Sequence, residues 1–480
     1  MHSHSQQQEL VAALFREWSG EQPGEITTLP PSGSDRKYFR IPYSKGTVIG
    51  AYNPIEQENR AFIGFTRHFR SLGLPVPEIL ATDMANFVYL QEDLGDTTLF
   101  SLLPHHRDQV CFPADVMEHY RKILDQLPLF QVEASRNLDF TLCFPRHAFD
   151  RNSMMWDLNY FKYYFLKLAG ILYDEQKLED DFQAFCDYLL EAESQYFLYR
   201  DFQSRNIMIR NGQPWFIDYQ GGRKGALQYD IASLLYDAKA NIHPRQREEL
   251  LDYYITSLKR HIPVQEESFR AHFYGFVLIR IMQAMGAYGF RGFYEKKPLF
   301  LQSIPYAKRN IQWLLDNDKI PASTPYLRKV VEMIIDSPRL KQYDKPSTGL
   351  KVSIRSFSYK KGLPVDESGN GGGFVFDCRS LPNPGREVAY KKLTGKDASV
   401  ISYLEKEPAV ASFVDSTARL VENSVETYLN RGFTHLMVCY GCTGGQHRSV
   451  YSAERLAERL KKKYDVIIDL QHAEELSWPV

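Results

Sequence analysis

The chain has 480 residues, 44% of them apolar and 24% charged, and a net charge of −1. It is too long for one ordinary core, so two or three domains are expected, and the charge balance excludes a general attraction to nucleic acid or to an anionic membrane surface. Six cysteines do not make a disulfide scaffold, which points to a reducing cytoplasm. The opening stretch MHSHSQQQELVAALF lacks the basic and apolar blocks of a signal peptide. The best candidate for a membrane span, Tyr274 to Phe290, is broken by Arg280 and Gln283.

In chain order, residues 6–19 predict a helix with Leu10, Val11, Leu14, Phe15 and Trp18 on one face. Pro31 to Ile41 (PSGSDRKYFRI) is a polar, glycine-containing turn between strands. Gly46 to Tyr52 reads as the next strand and Glu56 to Phe69 as a helix. Val88 to Asp96 (VYLQEDLGD) reads as a strand that ends in an acidic turn. Residues 97–195 are mostly helical, and their aromatic stripe, including Trp156, Phe161, Tyr163 and Phe165, reads as core.

The stretch from Phe197 to Asp230 carries the chemistry. Ile207 to Arg210 is a short apolar run, Asn211-Gly212 is a two-residue turn signal, and Pro214 to Asp218 is the return strand. Asn-Gly suits a type I′ turn, whose central residues both need φ > 0. With residues 210 and 213 flanking that turn, Asn206 lies opposite Ile217, and Asp218 sits at the same open end. Asp201, five residues before Asn206, lies in the loop entering the first strand. Two carboxylates and an amide oxygen thus converge at one mouth. A phosphoryl transferase needs this set: a carboxylate, Asp201, to orient and deprotonate a hydroxyl, and an Asn206–Asp218 pair for magnesium.

A helix starts at Tyr229, and residues 247–260, 266–288 and 300–336 complete a helical region. Linker composition follows Asp336, and beyond it an α/β pattern begins. Leu350 to Tyr359 and Phe374 to Cys378 read as strands, Ala409 to Leu429 as a helix, and Thr434 to Tyr440 (THLMVCY) as a buried strand. The loop Gly441 to Ser449 (GCTGGQHRS) then opens an amphipathic helix to Lys463. Strand, glycine-rich loop and helix N-terminus form an anion site by construction, with Thr443, Gly444, His447 and Arg448 as donors. Three uses compete. Cys442, Arg448 and Ser449 have the spacing of cysteine-dependent phosphatases. Cys439 and Cys442 form a CxxC, although Cys439 should be buried in its strand. The third use is binding alone.

The order D-x4-N, strand, turn, strand, D resembles the catalytic loop and metal-binding aspartate of the protein-kinase-like fold. More narrowly, it is similar to the aminoglycoside phosphotransferase and choline kinase superfamily. Tyr199-Arg200-Asp201 stands where many relatives have H-x-D, and Tyr219-Gln220 rather than Phe-Gly follows Asp218. SDRKYFRI, Gly73-Leu74-Pro75-Val76-Pro77, LQEDLGD, RDFQSRNIM, IDYQ and YDIASLLYDAKANI, taken in order, resemble the bacterial kinases that phosphorylate N-acetylmuramate and N-acetylglucosamine at the anomeric hydroxyl during cell-wall recycling. The resemblance implies an α+β kinase-like domain with lobes 1–95 and 96–336, using ATP and Mg2+ on a small-molecule sugar in the cytoplasm. It puts Gly33, Ser34, Arg36, Lys37 and Arg40 over the nucleotide phosphates. Glu92 falls at the interlobe hinge, where backbone groups would pair with adenine, and Asp230 supports the catalytic loop. The nucleotide-binding lysine expected on Gly46 to Tyr52 is absent, so a basic residue of the phosphate loop would substitute, with Glu58 as a candidate partner. An aminoglycoside- or choline-type kinase, and a metabolite-sensing regulator with a degenerate kinase lobe, are the alternatives.

FDCRSLPNP, Leu393-Thr394-Gly395-Lys396-Asp397 and GCTGGQHRSVYSAERLAERL resemble the carboxy-terminal domain of RapZ. This implies a linker at 337–349 and a smaller α/β domain at 350–480 that recognises a hexosamine phosphate and favours the binding-only use of the loop. Gly385 stands where such domains often carry a histidine that reaches the sugar phosphate. The tail Gln471-His472-Ala473-Glu474-Glu475 is acidic where RNA-binding relatives end in a basic run. No RNA and no membrane partner are therefore expected, and a homo-oligomer formed through this domain stays open.

Overall fold

The computed structural model describes residues 3–29, 36–103, 111–341, 343–344, 350–366, 368, 372–431, 433–464 and 466–478. The chain divides into two compact units, Met1–Ala287 with Tyr306–Leu340, and Tyr288–Pro305 with Lys341–Val480. Of the linker expected at 337–349, residues 342 and 345–349 lie outside the described residues, and Pro338–Lys341 form a short helix.

The first unit opens with helix α1 (His4–Ser19), started by a reciprocal bond pair between Ser3 and Gln6 and ended by Gly20 at φ 72°. Its apolar face packs Val11, Leu14 and Phe15 onto a sheet of five strands: β1 (Thr27–Thr28), β2 (Lys37–Tyr43), β3 (Gly46–Tyr52), β4 (Ile79–Asp83) and β5 (Val88–Glu92). The order is β1-β2-β3-β5-β4, antiparallel throughout. Gly50 permits the close approach of α1, because a Cβ there would lie 2.1 Å from Val11 Cγ1. Helix α2 (Glu56–Ser71) crosses between β3 and β4.

The second lobe is helical around two small antiparallel pairs. Helix α3 (Arg151–Tyr160) runs on as a π-helical turn, Phe161–Leu166. Strand β6 (Tyr196–Leu198) pairs with β9 (Arg223–Gly225), and β7 (Ile207–Arg210) with β8 (Gln213–Phe216). Helices α4 (Gln228–Leu235) and α5 (Glu266–Tyr288) follow. The aromatic stripe is only partly core. Phe161 and Phe165 are fully buried, whereas Trp156 and Tyr163 are exposed at 52% and 45%. Both exposed rings carry cations: Arg146 lies over Trp156, and Lys162 and Lys167 lie over Tyr163. Among the described residues no helix is long and apolar enough to cross a membrane. This unit has the two-lobed, kinase-like architecture that the sequence resemblance implies.

The second unit is a parallel α/β sheet of β10 (Leu350–Ser358), β11 (Gly373–Asp377), β12 (His435–Cys442) and β13 (Val466–His472), ordered β11-β12-β10-β13. Helix α6 (Arg448–Lys463) packs Val450, Ala453, Leu456 and Leu460 inward. Parallel pairing brings the carboxyl ends of β10, β12 and β13 to one edge, with Ser358 opposite Cys442 and Ser356 opposite His472. That edge is where open parallel sheets present their ligand loops.

Candidate functional site

The hairpin has the predicted register, with Ile207 opposite Phe216 and Arg210 opposite Gln213. Asn211 and Gly212 take φ values of 53° and 70°, as a type I′ turn requires. The pairing extends one step, because Ile217 N–H donates to Asn206 O at 3.1 Å. Asn206 Nδ2 then donates to Asp201 O at 2.9 Å and to Asp218 Oδ2 at 3.2 Å. Asp201, Asn206 and Asp218 therefore meet at the open end.

The loop carrying Asp201 is held from behind. The fully buried Asp230 carboxylate accepts from the backbone N–H groups of Tyr199 at 2.8 Å and Arg200 at 3.0 Å, and from Gln131 Nε2 at 3.1 Å. Burial pushes its pKa up to about 7, against the pull of those donors. Arg200 sits at φ 82°, a strained value for a residue with a side chain. Its guanidinium fixes it there, forming a fork on Asp157 at 2.6 and 2.8 Å and donating to Tyr229 Oη at 2.7 Å. Tyr199 Oη donates to Ile217 O at 2.6 Å. Tyr219, fully buried, stacks on Phe62 of α2 with ring centroids 5.0 Å apart and bonds Thr66 through its hydroxyl. These contacts tie the loop to both lobes.

The donor set suits magnesium. The amide hydrogens of Asn206 are spent on Asp201 and Asp218, so Oδ1 remains for a cation. Burial, and then the neighbouring Asp201 charge, raise the pKa of Asp218. A divalent cation relieves that crowding. Gln220 donates Nε2 to Asp218 Oδ1 at 2.7 Å and leaves its buried Oε1 without a partner. No group of three or more His, Cys, Asp or Glu among the described residues could hold a metal. One carboxylate, one amide oxygen and substrate phosphates are, however, an ordinary magnesium set.

The residues expected over the nucleotide phosphates separate. Gly33 and Ser34 lie outside the described residues. Arg36, 2% exposed, reaches Glu58 Oε2 at 3.2 Å, which also accepts from Asn53 Nδ2 at 3.0 Å. Its charge acts on Asp218. A guanidinium at the start of β2 thus forms the cation–Glu58 pair that β3, lacking lysine, cannot supply. Lys37, beside it on β2, has no ion-pair partner among the described residues. Arg40 departs from expectation. Asp93 binds its Nε and Nη2 at 2.6 and 3.0 Å, and Asp96 takes Nη1 and Nη2 at 3.1 and 3.0 Å, so its charge is spent on the acidic turn. Glu92 departs too. Its N–H, which adenine would need, donates to Glu78 O at 2.9 Å, and its carboxylate pairs with Arg210.

In the second unit the loop after β12 wraps a thiol. Cys442 Sγ lies 3.1 Å from Ser449 Oγ and accepts from Gly445 N–H at 3.2 Å. Burial raises its pKa, but the Ser449 hydroxyl and N–H, the Gly445 N–H and the Arg448 charge outweigh it, and the net shift is downward. Thr443 and Gly444 are exposed on the loop. His447 and Arg448 are not free donors as expected. His447 Nε2 bonds Tyr390 O at 2.9 Å, and Arg448 Nη1 donates to Arg379 O and Leu381 O at 2.8 and 2.9 Å. Arg448 Nε stays buried and unpaired. A Cβ on Gly385 would lie 3.3 Å from His447 Cε1, so the His447 ring stands against the position where the resemblance leads one to expect a histidine. Cys439 is fully buried in β12, facing away from any exposed pairing with Cys442, which argues against the CxxC use.

Sequence reasoning missed the tail. Glu474 is buried and pairs with Lys361, Glu475 pairs with Lys396 at 2.8 Å, and Trp478 Nε1 donates to Gly445 O at 3.3 Å. The acidic run is packed on the glycine-rich loop. Only Trp478, an indole in a polar tail, hinted at an anchor.

A model of the phosphotransferase enzyme family matches residues 25–264, and a model of the RapZ C-terminal domain matches residues 350–474. A nucleotide-binding protein of Neisseria meningitidis serogroup B is 37% identical over 169 residues, 35% of this chain and 54% of its own length. A nucleotide-binding protein of Azoarcus sp. is 43% identical over 122 residues, 25% of this chain and 40% of its own. The chain spans about half the length of the curated relatives it matches. Among solved structures, a choline kinase of Cryptosporidium parvum aligns with a TM-score of 0.45 at 12% identity, covering 67% of this chain and 99% of that chain. An ethanolamine kinase of Plasmodium vivax aligns with a TM-score of 0.44 at 13% identity, covering 62% and 84%.

Proposed function

Since this chain belongs to the phosphotransferase enzyme family and carries a RapZ C-terminal domain, we propose that it is a bacterial, cytoplasmic kinase that transfers the γ-phosphoryl group of ATP to a hydroxyl of an amino sugar. N-acetylmuramate and N-acetylglucosamine, in cell-wall sugar recycling, come before aminoglycosides or choline as acceptors. Asp201 orients the acceptor hydroxyl and takes its proton as the new P–O bond forms. Asn206 Oδ1 and Asp218 hold Mg2+, which when bound neutralises phosphate charge. Arg36, braced by Glu58, does the work of the missing strand lysine on the nucleotide side. The observation that carries this is the meeting of Asp201, Asn206 and Asp218 at one end of the hairpin, with Asp230 fixing the loop behind. A panel of amino sugars, aminoglycosides and choline, incubated with ATP and Mg2+ and read by NMR of the products, tests it. Phosphorylation of only aminoglycosides or choline would reverse the order of acceptors.

The regulator alternative draws on the absent β3 lysine, and the Arg36–Glu58 pair weakens it. For the second unit we infer a hexosamine-phosphate site at the loop, with no RNA partner. Thr443, Gly444 and Nη2 of Arg448, which bonds no described residue, are the donors, and His447 shapes the wall. The lowered thiol of Cys442 is the one observation that favours hydrolysis instead. Calorimetry with glucosamine-6-phosphate beside a phosphate-release assay separates the two. Cys442→Ser is expected to change affinity little, and Arg448→Ala to weaken it by about 10- to 100-fold, the worth of a charge-assisted bond. Phosphate release that depends on Cys442 would defeat the binding-only use.

A further inference from the structure

Arg223, on β9, is 7% exposed and has no ion-pair partner among the described residues. Its one hydrogen bond runs from Nε to Gly221 O at 3.0 Å. Nη1 and Nη2 bond no described residue, and neither is sealed from solvent. A buried guanidinium with two spare donors is costly unless something anionic meets it. Burial, and then the nearby Arg200 charge, lower its pKa, and the charges of Asp157 and Asp201 only partly offset them.

Its position relates it to the chemistry. Gly221, whose carbonyl anchors Arg223, lies against the catalytic loop, and a Cβ there would sit 3.9 Å from Asp201 Oδ2. The segment before α3 lines the same side, with Lys224 N–H donating to His147 O at 2.9 Å and Phe149 lying under Arg200. Arg280 of α5 also acts on Tyr229 and has no ion-pair partner among the described residues. Asp157 forms the fork on Arg200, and the charge of Asp201 also reaches Arg223. The side of Asp201 next to Gly221 thus carries a buried guanidinium with two spare donors.

We infer that Arg223 receives a carboxylate or phosphate on the acceptor and so sets a preference for acidic sugars. The assignment rests on the phosphotransferase role of Asp201. An Arg fork matches either group with two parallel N–H···O bonds, which adds orientation as well as affinity. A neutral acceptor leaves the guanidinium unpaired and loses that term.

The test uses the full chain with ATP, Mg2+ and three acceptors: N-acetylglucosamine, N-acetylmuramate and N-acetylglucosamine 6-phosphate. The neutral sugar is the reference, and the other two separate carboxylate from phosphate. The expected result is that one acidic acceptor has the higher kcat/KM, and that Arg223→Gln lowers its ratio to the neutral one by about 10- to 100-fold, mainly through KM. Arg223→Lys, which keeps the charge but loses the fork, should fall between, and it carries the test if Arg223→Gln does not fold. A merely structural role would lower all three rates together and leave the ratio unmoved. An unmoved ratio with continuing transfer would overturn the Arg223 assignment and leave the kinase standing. Transfer to none of the three would overturn the Arg223 assignment together with the amino-sugar acceptor on which it rests.

Discussion

Asp201→Asn is expected to lower kcat for phosphoryl transfer by roughly 10²–10⁴-fold, the usual contribution of a positioned base, while ATP affinity stays close to that of the unmodified protein. The asymmetry follows from geometry. Asn206 is anchored to the carbonyl of Asp201, not its carboxylate, so the loop and the Asn206–Asp218 pair keep their positions when the side chain becomes an amide. The Tyr199 and Arg200 N–H groups likewise stay on Asp230. Nucleotide titration beside steady-state turnover reads the two effects separately. Turnover that is unchanged in Asp201→Asn would remove the base from the mechanism.

Asp230→Ala should be the most destabilising single change near the site. It would strand two backbone N–H groups in a fully buried position, at a cost of about 1–3 kcal/mol each. That is a large part of a typical domain's stability of about 5–15 kcal/mol. It would also release Arg200 from φ 82° and let Asp201 drift, so kcat should fall with stability. Urea denaturation of the full chain measures the first effect and ATP turnover the second. Asp230→Asn keeps one carbonyl oxygen and should cost less than the alanine. A stable, fully active Asp230→Ala would show that the loop holds itself.

Much of the geometry at the open end of the hairpin was legible because it is local. Two residues of turn type fix the hairpin register, and the register alone sets Asn206 opposite Ile217 and Asp218 beside it. Asp230 could be named as a support of the catalytic loop and Glu58 as the partner of a phosphate-loop cation, but not which N–H groups or which of Arg36, Lys37 and Arg40 they would meet. The misread residues have partners far along the chain. Arg40 meets Asp93 and Asp96, 53 and 56 positions away, and Glu92 meets Arg210, 118 away. Nothing periodic encodes which carboxylate a long side chain reaches across a sheet. The same holds in the second unit. The glycine-rich loop was visible as an anion site, yet His447 and Arg448 turn to backbone carbonyls of the 379–390 segment, and the tail closes on Gly445. Arg223 was invisible for the opposite reason: what marks it is a partner it lacks.

The central claim is that Asp201, Asn206 and Asp218 together move a phosphoryl group from ATP to a sugar. Phosphorus NMR of one reaction tests it most directly, with ATP, Mg2+ and the amino-sugar panel, run in parallel on the unmodified chain, Asp201→Asn and Asp218→Asn. The expected outcome is a sugar-phosphate resonance that grows with the unmodified chain and is nearly absent in both variants, with Asp218→Asn also losing magnesium-dependent nucleotide binding. Equal sugar-phosphate signal in all three samples, or none with the unmodified chain, would contradict it.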